Sequence, residues 1–321
     1  MGKSLQGANG ILVLGSLLFA YLKRYENKEI AHNSLPEIFL KNLSIELQIL
    51  FESFDGSMLI SAIIGLIEES TNILYYINFE HPYPIIFREN KAFFIGEKHI
   101  HRKLGTPSIF QEEIIIQIFS LKENDILIIG SDGKDDIEIE SNGNRFINRD
   151  KNFFLKIVEQ SQGDFQKIID QLHIAGNFKD DVSILYFKNL FLNPNYHIYL
   201  EEKLHIVKKS IKNALLNKNY ENVYHFIQAI LHEFYHDNDI LLYYFYTLKQ
   251  LKQYQKAIEI GNILLLRNID NPIIYELLII CYKNINHTNK IQEIYHKLKE
   301  KFPYYKISEK IEKEIRLLNL L

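Results

Sequence analysis

Between Glu123 and Gly133 the chain reads Glu-Asn-Asp-Ile-Leu-Ile-Ile-Gly-Ser-Asp-Gly, and few local structures accommodate that order. The apolar run Ile126–Ile129 has strand length and is apolar on both faces, which suits a strand packed inside a sheet. A polar segment, Glu123-Asn124-Asp125, leads into it, and Gly130-Ser131-Asp132-Gly133 stops it. Asp-Gly is a common turn dipeptide. Read alone, the stretch is a buried strand ending in a turn that carries one carboxylate.

A second stretch gives that carboxylate a partner. Asn177-Phe178-Lys179-Asp180-Asp181 precedes Val182–Phe187, another strand-like run. If the two strands pair antiparallel, the end of the first lies beside the start of the second and the carboxylates converge. Carboxylate oxygens gathered at a sheet rim suit hard divalent cations, Mg²⁺ or Mn²⁺.

The order "apolar strand–Ser-Asp-Gly", then "Asp-Asp-Val-Ser–apolar strand", resembles the PPM-type (type 2C) metal-dependent serine/threonine phosphatases, in their SpoIIE-like branch. Two more stretches agree. Ile73–Phe87 is similar to that branch's hairpin ending in Gly-His-Pro-x-Pro, with His81, Pro82 and Pro84 in place and Glu80 where the glycine stands. Met1–Gly10, followed by Ile11–Gly15, resembles the glycine-rich turn and first helix that follow the family's leading metal aspartate. In the family that bridging aspartate lies in a Gly-Asp-x-x-Gly-Lys/His-Gly segment. Gly2-Lys3 would be its second half, so the aspartate falls before Met1 and only part of the metal site is expected in the chain.

The resemblance implies an α+β fold over residues 1–188: part of a PPM β-sandwich with flanking helices, its N-terminal strands missing. It implies a hydrolase acting on phosphoserine or phosphothreonine of a phosphoprotein regulator in bacterial signalling. Two Mn²⁺ or Mg²⁺ ions would activate a water. Asp132 and Asp180 would be metal ligands, with Asp181 in place of Asp180 if the register is off by one. The alternative is a catalytically inactive phosphatase domain serving as an interaction scaffold.

Composition limits the other classes. A formal net charge of −3 indicates no general attraction to nucleic acid, and one cysteine, Cys281, excludes an intramolecular disulfide and fits a reducing, cytoplasmic setting. Cys281 lies in an apolar run and reads as a buried structural thiol. Ile11–Leu22 is too short to span a bilayer and is followed by Lys23-Arg24 rather than a cleavage site; it reads as a mostly buried core helix over 8–24. His81, between turn residues, reads as structural. His99 and His101 have the spacing of a metal pair but no evident third ligand, so a solvated loop is the better reading. Asp135-Asp136 reads as an exposed acidic turn. No nucleophile elbow, P-loop or Cys-His pair is present, which leaves metal-activated water as the hydrolytic chemistry.

Along the first domain, helices are expected over Leu35–Leu50, Asn152–Gln162 and Phe165–Ala175. Strands are expected over Ser57–Ile67, Ile73–Phe79, Ile85–Phe87, Ala92–Ile95, Ile114–Phe119, Ile126–Ile129 and Val182–Lys188, with Ile114–Phe119 pairing Ile126–Ile129. Residues 189–203 read as a linker. Beyond it the segments Asn219–Val223, Gln253–Ala257 and His287–Ile291 recur 34 residues apart, each at a helix–turn–helix junction. The unit resembles the tetratricopeptide repeat: Tyr275, Leu278 and Tyr282 match its first helix, Tyr254, Ala257 and Ile258 its second, and Pro303 its closing proline. Residues 204–321 are therefore expected to form three stacked repeats with a capping helix over 306–321, offering a groove to a protein or peptide partner.

Overall fold

The computed structural model describes residues 5–26, 35–69, 71–96, 100–107, 114–141, 144–190 and 194–307. The chain divides into two compact units, residues 1–197 and 198–321. The first is α+β and the second all-helical.

In the first unit, apolar runs alternate or fill both faces and become strands. One antiparallel sheet has the order β1 (Ala62–Glu68), β2 (Ile73–Phe79), β5 (Gln117–Ser120). A second has the order β10 (Ile184–Lys188), β6 (Ile126–Gly130), β3 (Ile85–Arg88), β4 (Lys91–Phe94). Side chains alternate across the second sheet. Ile85, Phe87, Ile126 and Ile128 pack with Phe154 and Ile157 of α3 (Phe153–Gln160) and Ile168 and Leu172 of α4 (Phe165–Ala175). Ile86 and Leu127, on the other face, pack with Leu74 and Tyr76 of β2. The helix α2 (Pro36–Glu52) packs on the first sheet through β1 and β2. Helix, sheet, sheet, helix is a layering in which both sheets bury a face against each other.

Three expectations need correction here. Ile114–Phe119 and Ile126–Ile129 do not pair: β5 joins β2, while β6 lies between β3 and β10. The short link between β5 and β6 carries the chain from one sheet to the other, and a buried ion pair fixes it. Asp125, whose side chain is fully buried, accepts from Arg88 Nε at 2.8 Å and from the Lys122 amide at 2.7 Å, while Arg88 also donates to the Ser120 carbonyl at 3.0 Å. The guanidinium lies 5.3 Å from the Phe119 ring centre. Second, α1 (Leu5–Glu26) is a helix but not a mostly buried one. Tyr21 is buried against Phe39, whereas Leu12 and Phe19 are 68% and 64% exposed, because the described elements cover one side of the helix only. Third, a small sheet of order β8 (Asn144–Ile147), β7 (Ile137–Ser141), β9 (Asn177–Phe178) was not expected at all.

The helix α5 (Pro194–Leu216) already begins inside the stretch read as a linker, with proline at its first position, where no amide donor is needed. Five helices follow: α6 (Tyr220–Phe234), α7 (Asn238–Gln250), α8 (Tyr254–Leu266), α9 (Pro272–Asn284) and α10 (Thr288–Lys301). Each packs on the next. Helices α6, α8 and α10 start 34 residues apart, and each is preceded by a residue with left-handed backbone: Lys218, Lys252 and Asn286, at φ 55°, 60° and 58°. The same backbone bend thus recurs although the side chains differ. Gly261 of α8 sits where a Cβ would come within 2.7 Å of Leu278 Cδ2 and 2.8 Å of Phe245 Cζ, so its absence lets α7, α8 and α9 close on one another. Cys281 is buried in α9, which pushes its thiol pKa up to about 12 and makes it an inert core residue. The expected capping helix lies largely outside the described residues. Among the described residues no helix is long and apolar enough to cross a membrane.

Two outcomes follow from this packing. Asp125→Ala leaves Arg88 without its buried partner and is expected to cost about 3 kcal/mol in urea unfolding, whereas Lys156→Ala, which removes an exposed pair, leaves the midpoint unchanged. Gly261→Val forces a branched side chain between two buried neighbours that cannot move aside. It is expected to destabilise the helical unit by at least about 2 kcal/mol, read from its own transition in calorimetry.

Candidate metal centre

Antiparallel pairing sets Gly130 opposite Ile184, so the turn that follows β6 meets the segment that precedes β10. Ser131 joins them with three bonds. Its amide donates to the Ser183 carbonyl at 2.9 Å, its Oγ accepts from the Ser183 amide at 3.0 Å, and its hydroxyl donates to the Asp181 carbonyl at 3.2 Å. Gly133 closes the contact: a Cβ there would be 2.4 Å from the Asp181 carbonyl oxygen. No other residue type permits so close an approach of two backbones.

Asp132 opens a single 3₁₀ turn, Asp132–Lys134, and its carbonyl accepts from the amides of Asp135 and Asp136 at 2.8 and 3.2 Å. The Asp132 side chain stays exposed, as do those of Asp136 and Asp181. Asp180 accepts from the Asp181 amide at 2.8 Å. The turns bearing Asp132 and Asp180 are therefore adjacent, held by Ser131 and Gly133. Their carboxylates are the oxygen donors that Mn²⁺ and Mg²⁺ take, so the donor chemistry fits such an ion. The number of donors is short: among the described residues no three of His, Cys, Asp and Glu stand together as a metal-holding group.

The neighbouring charges were largely hidden from sequence reasoning. Lys134, 1% exposed, folds its stem over Gly130, pairs its ammonium with Asp135, and lies 5.4 Å from the Phe154 ring centre. Asp135 is accordingly half-buried rather than part of an exposed acidic turn. Burial raises its carboxyl pKa, and Lys134 offsets part of that rise.

His81 is positioned by Asn78, whose carboxamide accepts from the His81 amide at 2.8 Å and donates to its carbonyl at 2.9 Å. This is the structural turn role expected of it. Burial lowers the imidazole pKa, Lys134 lowers it further, and Asp132 opposes the shift, so all three side chains share one electrostatic neighbourhood. Glu80, where the family pattern has glycine, holds a left-handed backbone with φ 44°. His101 is not in a solvated loop. It is buried against Phe79, and its Nε2 faces the backbone of Ile115, 3.0 Å from the amide nitrogen and 3.3 Å from the carbonyl oxygen. Its proposed companion, His99, lies outside the described residues.

Comparison with known proteins places this arrangement. The RsbU and RsbW domains of Rv1364c from Mycobacterium tuberculosis are similar over 59% of this chain and 51% of theirs, with a TM-score of 0.44 and 14% identity. This chain thus spans about half the length of that structure. The phosphatase domain of SpoIIE from Bacillus subtilis, presoaked with Mn, is similar over 56% of this chain and 75% of its own, with a TM-score of 0.34 and 15% identity. PcrH, in complex with the chaperone binding region of PopD, is similar over 37% of this chain and 89% of its own, with a TM-score of 0.32 and 13% identity. No curated protein sequence matches. The family model of stage II sporulation protein E (SpoIIE) matches residues 1–189, more than half of the chain. On that match the chain belongs to the SpoIIE family of PPM-type phosphatases.

Proposed function

We propose that the chain is a metal-dependent protein phosphatase that removes phosphate from serine or threonine of a phosphoprotein regulator in bacterial signalling, acting in the cytoplasm. Family membership over residues 1–189 supports the reaction class. The single structural observation that supports the site is the clasp by which Ser131 and Gly133 hold the Asp132 turn against Asp180–Ser183.

Asp132 and Asp180 would hold Mn²⁺ or Mg²⁺, with Asp181 beside them. An ion bound there supplies a lowered pKa for water and neutralises charge on the phosphoryl group. The chain's own residues do the positioning. Ser131 fixes the spacing of the two turns, the 3₁₀ turn presents the Asp132 carboxylate to solvent, and Asn78 holds His81 in the same neighbourhood, where burial lowers the imidazole pKa. Residues 204–321 would form tetratricopeptide-like repeats whose groove takes a protein or peptide partner. The recurring left-handed bends before α6, α8 and α10 support that reading.

One observation favours the second reading, an inactive scaffold: the described donors number fewer than three at any one point. Hydrolysis of p-nitrophenyl phosphate with millimolar Mn²⁺ separates the two. The phosphatase reading expects Mn²⁺-dependent turnover that falls by at least about a hundredfold in Asp132→Ala, since even outer-shell partners of a metal ligand are worth ten- to a hundredfold. It also expects a Mn²⁺-induced rise in melting temperature that Asp132→Ala abolishes. Turnover and melting behaviour identical in the two chains would remove Asp132 from the site. Absent turnover with no thermal response would leave the scaffold.

A further inference from the structure

A cavity of about 700 Å³ opens beside the candidate centre. It is walled by the Pro82–Tyr83 turn, by Phe94 at the end of β4, by Lys134–Asp136 and by the 148–152 segment that leads into α3. Its walls continue the site in the chain itself: Pro82 follows His81, and Lys134 follows the Asp132-Gly133 pair. A molecule presenting a phosphoryl group to the Asp132 turn would run its neighbouring atoms along this cavity.

The cavity's charges are unevenly committed. Asp135 is taken by Lys134, and Asp150 by Lys156 at 2.6 Å. Arg149 and Lys151 line the same wall, are exposed, and among the described residues make no side-chain hydrogen bond or ion pair. An ammonium carries three donors, so Lys134, which Asp135 engages, has capacity to bond a further anion at the base. The first turn of α3 adds the positive end of a helix whose N-cap, Asn152, makes no side-chain capping bond. Tyr83 and Phe94, with ring centres 5.9 Å apart, form an apolar shelf between base and rim. Asp136 is the one carboxylate in the wall that these cations leave unmatched.

We propose that this cavity seats an acidic segment adjoining the phosphorylated residue of the protein substrate, with Lys134 at its base and Arg149 and Lys151 at its rim. The inference rests on the phosphatase reading for the phosphoryl position, and it names the substrate class: a phosphoserine or phosphothreonine flanked by carboxylates. A single-stranded polynucleotide, which the same two cations would attract, is the competing occupant that the test excludes.

Binding measured without metal tests the cavity apart from catalysis. Two fluorescein-labelled phosphoserine peptides, one with three glutamates beside the phosphoserine and one with glutamines there, are titrated with the full chain in EDTA by fluorescence anisotropy. The acidic peptide is expected to bind about five- to tenfold tighter at 0.1 M salt, a preference that shrinks at 0.5 M. Arg149→Glu with Lys151→Glu, both exposed and so compatible with folding, is expected to abolish the preference, while Lys167→Glu on α4 retains it. Equal affinity for the two peptides, or a preference that survives the double reversal, would overturn the proposal. So would displacement of the probe by an equal concentration of single-stranded RNA. Failure of the phosphatase reading shows elsewhere, as absent Mn²⁺-dependent hydrolysis of p-nitrophenyl phosphate, and leaves the peptide preference readable.

Discussion

The pairing of β6 with β10 is the constraint on which the site depends. Side chains alternate across a sheet, so a slip of one residue would exchange Ile184 and Tyr186, which pack toward the helices, with Phe187, which packs toward the other sheet, and move Asp180 away from Asp132. Two devices hold the register. The apolar faces of β6 are claimed separately, Ile126 and Ile128 by the helices and Leu127 by the other sheet. At the strand end Ser131 bonds both backbone groups of Ser183, and Gly133 admits the Asp181 carbonyl at a distance no side chain would permit. Serine and glycine beside the aspartate are thus explained by strand pairing, and the exposed carboxylate is what the pairing delivers.

Two ion pairs divide the remaining tasks. Arg88 and Asp125 fix the point where the chain leaves one sheet for the other, with every acceptor of the carboxylate used by an amide or the guanidinium. Removing one partner leaves an uncompensated charge, which is why such pairs govern topology more than they add net stability. Lys134 and Asp135 lie instead at the wall of a cavity, and Lys134 is both nearly fully buried and packed against an aromatic ring. A buried ammonium with donor capacity to spare is costly to keep for structure alone, which directs attention to what enters that cavity.

Much of this was legible in the chain. The hairpin over Ile85–Phe94 forms through Glu89 and Asn90, both left-handed at φ 51° and 63°, and the helices over Pro36–Glu52 and Phe165–Ala175 follow their apolar spacing. The likeness to a glycine-bearing motif at Glu80 was readable too, and the backbone there is the one glycine favours. What escaped is instructive. Local pattern cannot say which strand a strand pairs with, so β5 and β6 were joined by proximity when the buried Asp125 separates them. The strand β7 alternates Ile137, Glu138, Ile139 and Glu140 ahead of Asn142-Gly143, a hairpin cue in the sequence, but its partner β8, Asn144-Arg145-Phe146-Ile147, has no period-two pattern to match it. A lone Lys134 gave no sign of burial, because a lysine in a turn is ordinarily solvated. The helix α1 was misjudged for the opposite reason: an apolar run shows that a face can be covered, not that it is.

Charge around the site is separated by sign, and this separation ties the two halves of the functional argument together. At the centre Asp132, Asp180 and Asp181 lie on adjoining turns with Asp136 one turn on, while Lys134 is taken up by Asp135 and Lys179 by Glu138 at 2.7 Å. On the proposed reading, the exposed carboxylates of Asp132, Asp136 and Asp181 would attract a cation and repel an anion that arrives without one. A few residues away Arg149 and Lys151 stand uncommitted on the cavity rim. On that reading a dianionic phosphoryl group alone would meet repulsion at the centre, and a peptide that carries further carboxylates would gain attraction at the rim that offsets it. Such a field would favour the proposed acidic segment in one orientation, phosphoryl end toward Asp132, over a small phosphate ester of the same charge. Selectivity for a protein substrate can therefore arise from residues that touch neither the phosphorus nor a metal ion.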